Sequence, residues 1–136
     1  MGILLVAFVG LLTGDASMSA DQIKATAVQV TADDLYNDRG NLVGKPVKFT
    51  AEVLQPGDDT MRVCGIAIDK YGFNDAMDKD ILLDGDFSKI TIYEHDEVYV
   101  YGVFKGQGSY TTVLGAERKI PMIKSAIVVP TGNKYK

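Results

Sequence analysis

The residues best equipped for chemistry crowd into one stretch. Between Asn74 and Glu97 lie Asp75, Asp78, Asp80, Asp84, Asp86, Glu94, Asp96 and Glu97, against Lys79 and Lys89 alone. Calcium takes oxygen ligands from glycine-bearing loops. The spacing of an EF-hand loop is absent here, because Asp78 and Asp80 run into Ile81-Leu82-Leu83. A solvated acidic loop accounts for the same residues, and no metal site is expected. His95, the one histidine, sits among Glu94, Asp96 and Glu97. An imidazole beside carboxylates suits general-base or metal-ligating work. Either role needs a nucleophile or a second ligand, and the sequence identifies none, so an exposed turn residue is expected. Cys64 lies in an apolar run and reads as a small hydrophobe of the core or sheet wall. Metal-assisted phosphodiester cleavage would need grouped carboxylates with arginines near the phosphate. The arginines are scattered at Arg39, Arg62 and Arg118. No catalytic residue and no cofactor is assigned, and the chain reads as non-enzymatic.

A second set is aromatic. Tyr93, Tyr99, Tyr101 and Tyr110 cluster in sequence, and Tyr99 and Tyr101 share one face of an extended segment. Exposed aromatics beside basic residues stack bases or sugars. The candidate ligand-binding residues are therefore Arg62, Tyr99, Tyr101, Lys105 and Tyr110, with Lys119 as further charge. Cross-strand tyrosine pairing on a sheet surface explains the same pattern without a ligand.

These residues sit in a chain of 136, with 46% apolar and 24% charged residues. That is one globular domain able to bury a core unaided. One cysteine excludes an internal disulfide and a cysteine-based zinc cluster. The net charge of −4 disfavours generic nucleic-acid binding. Charge is also polarised along the chain. Beyond Glu97, Lys105, Arg118, Lys119, Lys124, Lys134 and Lys136 face Glu117 alone, which makes a dipole if the two parts lie apart in space.

Residues 1–15 read as an export leader. Ile3 to Leu12 is an unbroken apolar run, too short to span a bilayer comfortably and of the length of a signal-peptide core. Met1-Gly2 leads straight into it without a basic region. Leu11-Leu12-Thr13-Gly14-Asp15-Ala16-Ser17 resembles a bacterial lipoprotein signal, with Asp15 at the position of the acylated cysteine. Three alternatives stand. The favoured one is a lipoprotein whose cysteine has been replaced. The others are a secreted protein cut after Ser19 and a short buried helix. Residues 16–30, small and polar at their start, read as a tether between membrane and fold.

The body begins at Thr31-Ala32-Asp33-Asp34, a helix start in which Thr31 caps and the acids complement the helix dipole. Leu35 and Leu42 fall one heptad apart, and Gly40 or Gly44 ends the helix. Val47, Phe49, Ala51 and Val53 alternate with Lys48, Thr50 and Glu52, a strand with one buried face. Pro56-Gly57-Asp58-Asp59 turns the chain. Further strands are expected at Met61–Ile68, Asp80–Leu83, Glu97–Phe104, Ser109–Leu114 and Ile120–Val129. Lys105-Gly106-Gln107-Gly108 reads as a hairpin turn. Residues 69–80 read as a loop, Phe87–His95 as a short helix or irregular turn, and 131–136 as a frayed polar tail. The predicted class is mostly β: a five- to six-stranded barrel with an N-terminal helix, over residues 31–130.

Three segments carry a family resemblance: Thr31 to Asn37, Val43 to Val53, and Asp96 to Gly102. Together they resemble the tRNA-anticodon-binding-like OB domains of small bacterial exported lipoproteins. The similarity covers about residues 31–129. The family commonly has Gly-Asp where this chain has Asp96-Glu97, and glycine where Ala51 stands. The resemblance implies an OB-like barrel, and it carries no tRNA function with it. The expectation is a binding or adaptor module of the bacterial envelope, outside the cytoplasm. It would be held to the membrane by an N-terminal lipid and would contact a protein partner. The alternative is an oligonucleotide- or oligosaccharide-binding domain using the second and third strands.

Overall fold

The computed structural model describes residues 18–38, 40–66, 80–111 and 113–134. The leader with Asp15 and nearly all of the loop at 69–80 lie outside the described residues. Among the described residues, two short helices and six strands follow one another: α1 (Ala20–Thr26), β1 (Val28–Gln29), α2 (Ala32–Tyr36), β2 (Pro46–Gln55), β3 (Thr60–Gly65), β4 (Asp80–Gly85), β5 (Asp96–Thr111) and β6 (Glu117–Lys134). None of the described helices is long and apolar enough to cross a membrane.

Both helices start on reciprocal caps. In α2 the Thr31 hydroxyl accepts from the Asp34 amide at 3.2 Å, and the Asp34 carboxylate accepts from the Thr31 amide at 2.9 Å. Ser19 and Gln22 repeat the device in α1. The stretch read as a tether thus holds a helix and a strand, and Ile23 of α1 is buried where the helix meets β2 and β5. The helix from Thr31 is shorter than its leucine spacing suggests. It ends at Tyr36, because Asp38, Gly40 and Asn41 take positive φ and turn the chain back. Leu42 reaches the core from that turn, held by its amide donating to Asp38 Oδ1 at 3.0 Å.

The strands form one mixed sheet in the order β1-β2-β3-β4-β6-β5, and β2 also pairs with β5. The sheet therefore curls into a partial ring. Pairing is antiparallel except for β1 with β2 and β4 with β6. Inward residues alternate as the apolar period requires. Val47, Phe49, Ala51 and Val53 of β2 meet Met61 and Val63 of β3, Ile81 and Leu83 of β4, Val98, Val100 and Phe104 of β5, and Ile123 and Val128 of β6. Leu35, Leu42 and Phe87 close the core from the loops and α2. Among the described residues, no polar side chain is fully buried.

Three expectations need correction. Lys105 to Gly108 is not a hairpin turn, and Ser109–Leu114 is not a separate strand; both belong to β5 up to Thr111. The glycines there serve a different purpose. Gly106, at φ 96°, takes up a bulge in the pairing with β6, and a side chain on Gly108 would collide with Met122. The chain reverses instead between Thr111 and Glu117, which pair across the turn. Pro121 sits inside β6 just before β4 joins at Met122, where a missing donor is tolerated. Residues 131–134 of the tail are not frayed: β6 continues to Lys134 and is tied to the start of β5.

Candidate functional site

The outer face of β1, β2, β5 and β6 carries the side chains that the core alternation turns outward. Register sets them in rows. Gln29, Lys48 and Tyr101 stand side by side, with Ile127 beyond. In the next row Thr50 faces Tyr99, with Val129 beyond. Gln29, Lys48, Phe49, Thr50, Tyr99 and Tyr101 line an open depression of about 180 Å³. Tyr99 is 48% exposed, unusual for so large an aromatic in mid-strand.

One row further, Glu52 faces Glu97. Like charges directly opposed on a sheet repel, and each is met by its own partner. His95 Nδ1 lies 2.8 Å from Glu52 Oε2, and the His95 amide donates to the Val53 carbonyl at 2.7 Å. His95 takes φ 74°, a conformation few non-glycine residues adopt. Thr131 Oγ1 donates to Glu97 Oε1 at 2.6 Å, and Asn133 Nδ2 donates to the same oxygen at 3.1 Å. At the strand end Lys134 Nζ meets Asp96 Oδ1 at 2.6 Å and lies 5.4 Å from the centre of the Tyr93 ring. The face thus grades from a lysine, through two tyrosines, to a braced acidic end. Among the described residues, no group of three or more histidine, cysteine or acidic side chains is arranged to hold a metal ion.

The Lys134 hydrogen bond, and next to it the Tyr93 amide donating at 2.9 Å, hold the Asp96 carboxyl below its ordinary value of 3.8. A carboxylate whose folded value is lowered stabilises the fold fully above its unfolded value and loses that contribution as pH falls through the lowered one. The stability difference between the protein and Asp96→Asn should therefore be constant above about pH 5 and shrink towards zero in acid. Urea unfolding of both proteins across that range measures it. A difference that grows in acid contradicts the pairing.

The five residues proposed for ligand contact separate into three places. Tyr99 and Tyr101 share the depression. Arg62 lies on β3, with its guanidinium 3.7 Å from Asp80 and its Nε buried without a hydrogen-bond partner among the described residues. Lys105 and the backbone of Tyr110 lie beyond Val103, the last residue of β5 paired to β2, on an arm shared with β6. Gln29, Lys48, Thr50 and Glu52 were not among the candidates. Their alternation marks them as outward-facing, but their cross-strand partners lie tens of residues away. Cys64 is buried. No protein-family model matches the chain, and a search of curated proteins finds no significant match.

Proposed function

We propose that the chain is a non-enzymatic, OB-like binding or adaptor module of the bacterial envelope that contacts a protein partner through the outer face of β1, β2 and β5. The OB-like reading is supported by the strand pairing, in which β2 meets both β3 and β5 and β4 runs parallel to β6. The envelope location and lipid tether rest on the apolar leader and on the likeness of Leu11 to Ser17 to a lipoprotein signal.

The observation that carries the contact reading is the half-exposed Tyr99 with the partly buried Tyr101 and Lys48 beside it. A depression of about 180 Å³ is too small for a typical small-molecule pocket of roughly 300–1,000 Å³. Tyrosines offer broad contact area with little rotamer entropy to lose, which suits a protein surface. Nucleic acid is disfavoured, because Glu52 and Glu97 lie on the same face as Lys48. A neutral sugar chain stacked on the tyrosines is the surviving alternative.

Tyr99→Ala with Tyr101→Ala should weaken capture of a partner from envelope extract by about tenfold or more, as loss of an interface anchor does. The fold should change little, since Tyr99 is half exposed and Tyr101 lies on the outer face, outside the core. Capture unaffected by the double substitution removes this face from the proposal. Binding to single-stranded oligonucleotides that weakens steeply with salt, or binding to glycans, replaces the adaptor reading with the alternative.

A further inference from the structure

Past Gly106, β5 and β6 leave the body of the sheet as a two-stranded arm. Pairing continues from Gln107 with Pro121 to Thr111 with Glu117, about 14 Å of ribbon at strand rise. The root is fixed: Gln107 Nε2 donates to the carbonyls of Leu35 at 2.8 Å and Tyr36 at 3.2 Å. At the far end, Val113 and Leu114 stand in open solvent, at 102% and 93% exposure. Scattered exposed apolar residues are ordinary. Two adjacent ones at the tip of an anchored arm are a different arrangement, because nothing in the fold requires them there.

The charge around them is one-sided. Arg118, Lys119 and, nearer the root, Lys105 accompany the tip, with Glu117 as the one acid on the paired ribbon. Arg118 and Lys119 are successive strand residues, so they point to opposite faces of the ribbon. Acids lie away from the tip: Glu94, Asp96 and Glu97 at the far end of β5, Asp84 and Asp86 at the end of β4, and Asp33, Asp34 and Asp80 at the arm's root. The chain is acidic overall, but at physiological salt a charge is screened beyond roughly 8 Å. The basic arm therefore governs the field at the tip.

We propose that the tip is a membrane contact. Val113 and Leu114 enter the interfacial layer of an anionic lipid surface while Arg118 and Lys119 meet headgroups on either side of the ribbon. A plane of lipid surrounds an inserted tip, which fits cations on both faces. A protein groove would match one face. This contact is separate from the tyrosine face and stands or falls without it.

The protein contains no tryptophan, so a single one reports its own site. In the full chain, Leu114→Trp fluorescence should shift to the blue with vesicles of phosphatidylcholine containing about a third phosphatidylglycerol, and far less with phosphatidylcholine alone. Tyr93→Trp, exposed at the acidic end, should not shift, which separates tip insertion from any vesicle binding through the apolar leader. Arg118→Glu with Lys119→Glu in the Leu114→Trp chain should weaken the partitioning by at least about 25-fold, at roughly fivefold per cation. The proposal is overturned by no shift at position 114, by an equal shift with neutral vesicles, by an equal shift at position 93, or by indifference to the charge reversal. A shift produced by lipid-free envelope proteins and not by vesicles assigns the tip to a protein pocket instead.

Discussion

Phe104→Ala should destabilise the protein by about 3–5 kcal/mol, the usual cost of truncating a fully buried phenylalanine. Phe104 is entirely enclosed and heads the largest buried side chains of the core. Its backbone is engaged as well. The Gly44 amide donates to its carbonyl at 2.7 Å, and its own amide donates to the Lys45 carbonyl at 3.1 Å. The ring thus sits where the turn before β2 is pinned to β5, and where β5 pairs with Ile123 of β6 before the arm departs. Against a typical total of about 5–15 kcal/mol, the loss is large enough to leave the variant marginal. Urea unfolding should show a lower midpoint at nearly unchanged slope, since the surface exposed on unfolding is much the same. A cost within about 0.5 kcal/mol, the range of surface substitutions, would place the ring outside the core. The same yardstick protects the functional test, because Tyr99→Ala should fall inside the surface range.

What the sequence revealed tracks how locally each feature is encoded. The alternation of Val47, Phe49, Ala51 and Val53 with polar neighbours announces β2, because one buried sheet face imposes a period of two on contiguous residues. The cap at Thr31 is legible because its partner, Asp34, is three residues away. Helix α1 has no legible period: it buries one residue in seven, Ile23, so its apolar face has nothing to repeat. Its signature was the Ser19 to Gln22 capping pair. The arm is hidden because glycines at alternate positions look like a turn, whereas Gly106 serves a bulge and Gly108 leaves room for Met122.

The candidate face was half legible. Tyr99 and Tyr101 share a side by strand parity alone. That Lys48 and Thr50 would be their neighbours depends on the β2–β5 register, and strand alternation within either segment does not report it. The same limit hid the Glu52 partner of His95, 43 residues away. The sequence places His95 among Glu94, Asp96 and Glu97. The structure ties its ring most closely to the distant Glu52, 2.8 Å away, against 3.7 Å from Nε2 to Glu94. His95 therefore braces a repulsive row of the sheet, and the acids that surround it in sequence are occupied elsewhere: Asp96 with Lys134, Glu97 with Thr131 and Asn133. That arrangement leaves Tyr99 and Gln29 as the most accessible side chains of the face.

Gly102→Ala tests the closure of the sheet directly. Gly102 pairs with Val47 of β2 and lies at the irregularity where β5 slips against β6. A Cβ there would fall 2.3 Å from Ile123 Cγ2, 3.1 Å from the Lys124 carbonyl oxygen and 3.3 Å from Ala126 Cα. The overlap is with a methyl on the Cβ of the fully buried Ile123, and the two tight neighbours behind it are backbone, so little room is left for the new methyl to move into. A cost of about 3 kcal/mol is expected, the upper part of the range for overpacking. Ile123→Ala removes the nearest methyl and should itself cost about 2–5 kcal/mol, because Ile123 is fully buried. In the double variant the new methyl at 102 occupies part of the space vacated at 123. The double variant should therefore be more stable than the sum of the single losses predicts, by about 1–2 kcal/mol. A urea-unfolding cycle of the four proteins reads this coupling. Strict additivity would mean that β5 and β6 do not approach at this point, and the packing that lets β5 join β2 and β6 at once would have to be redrawn.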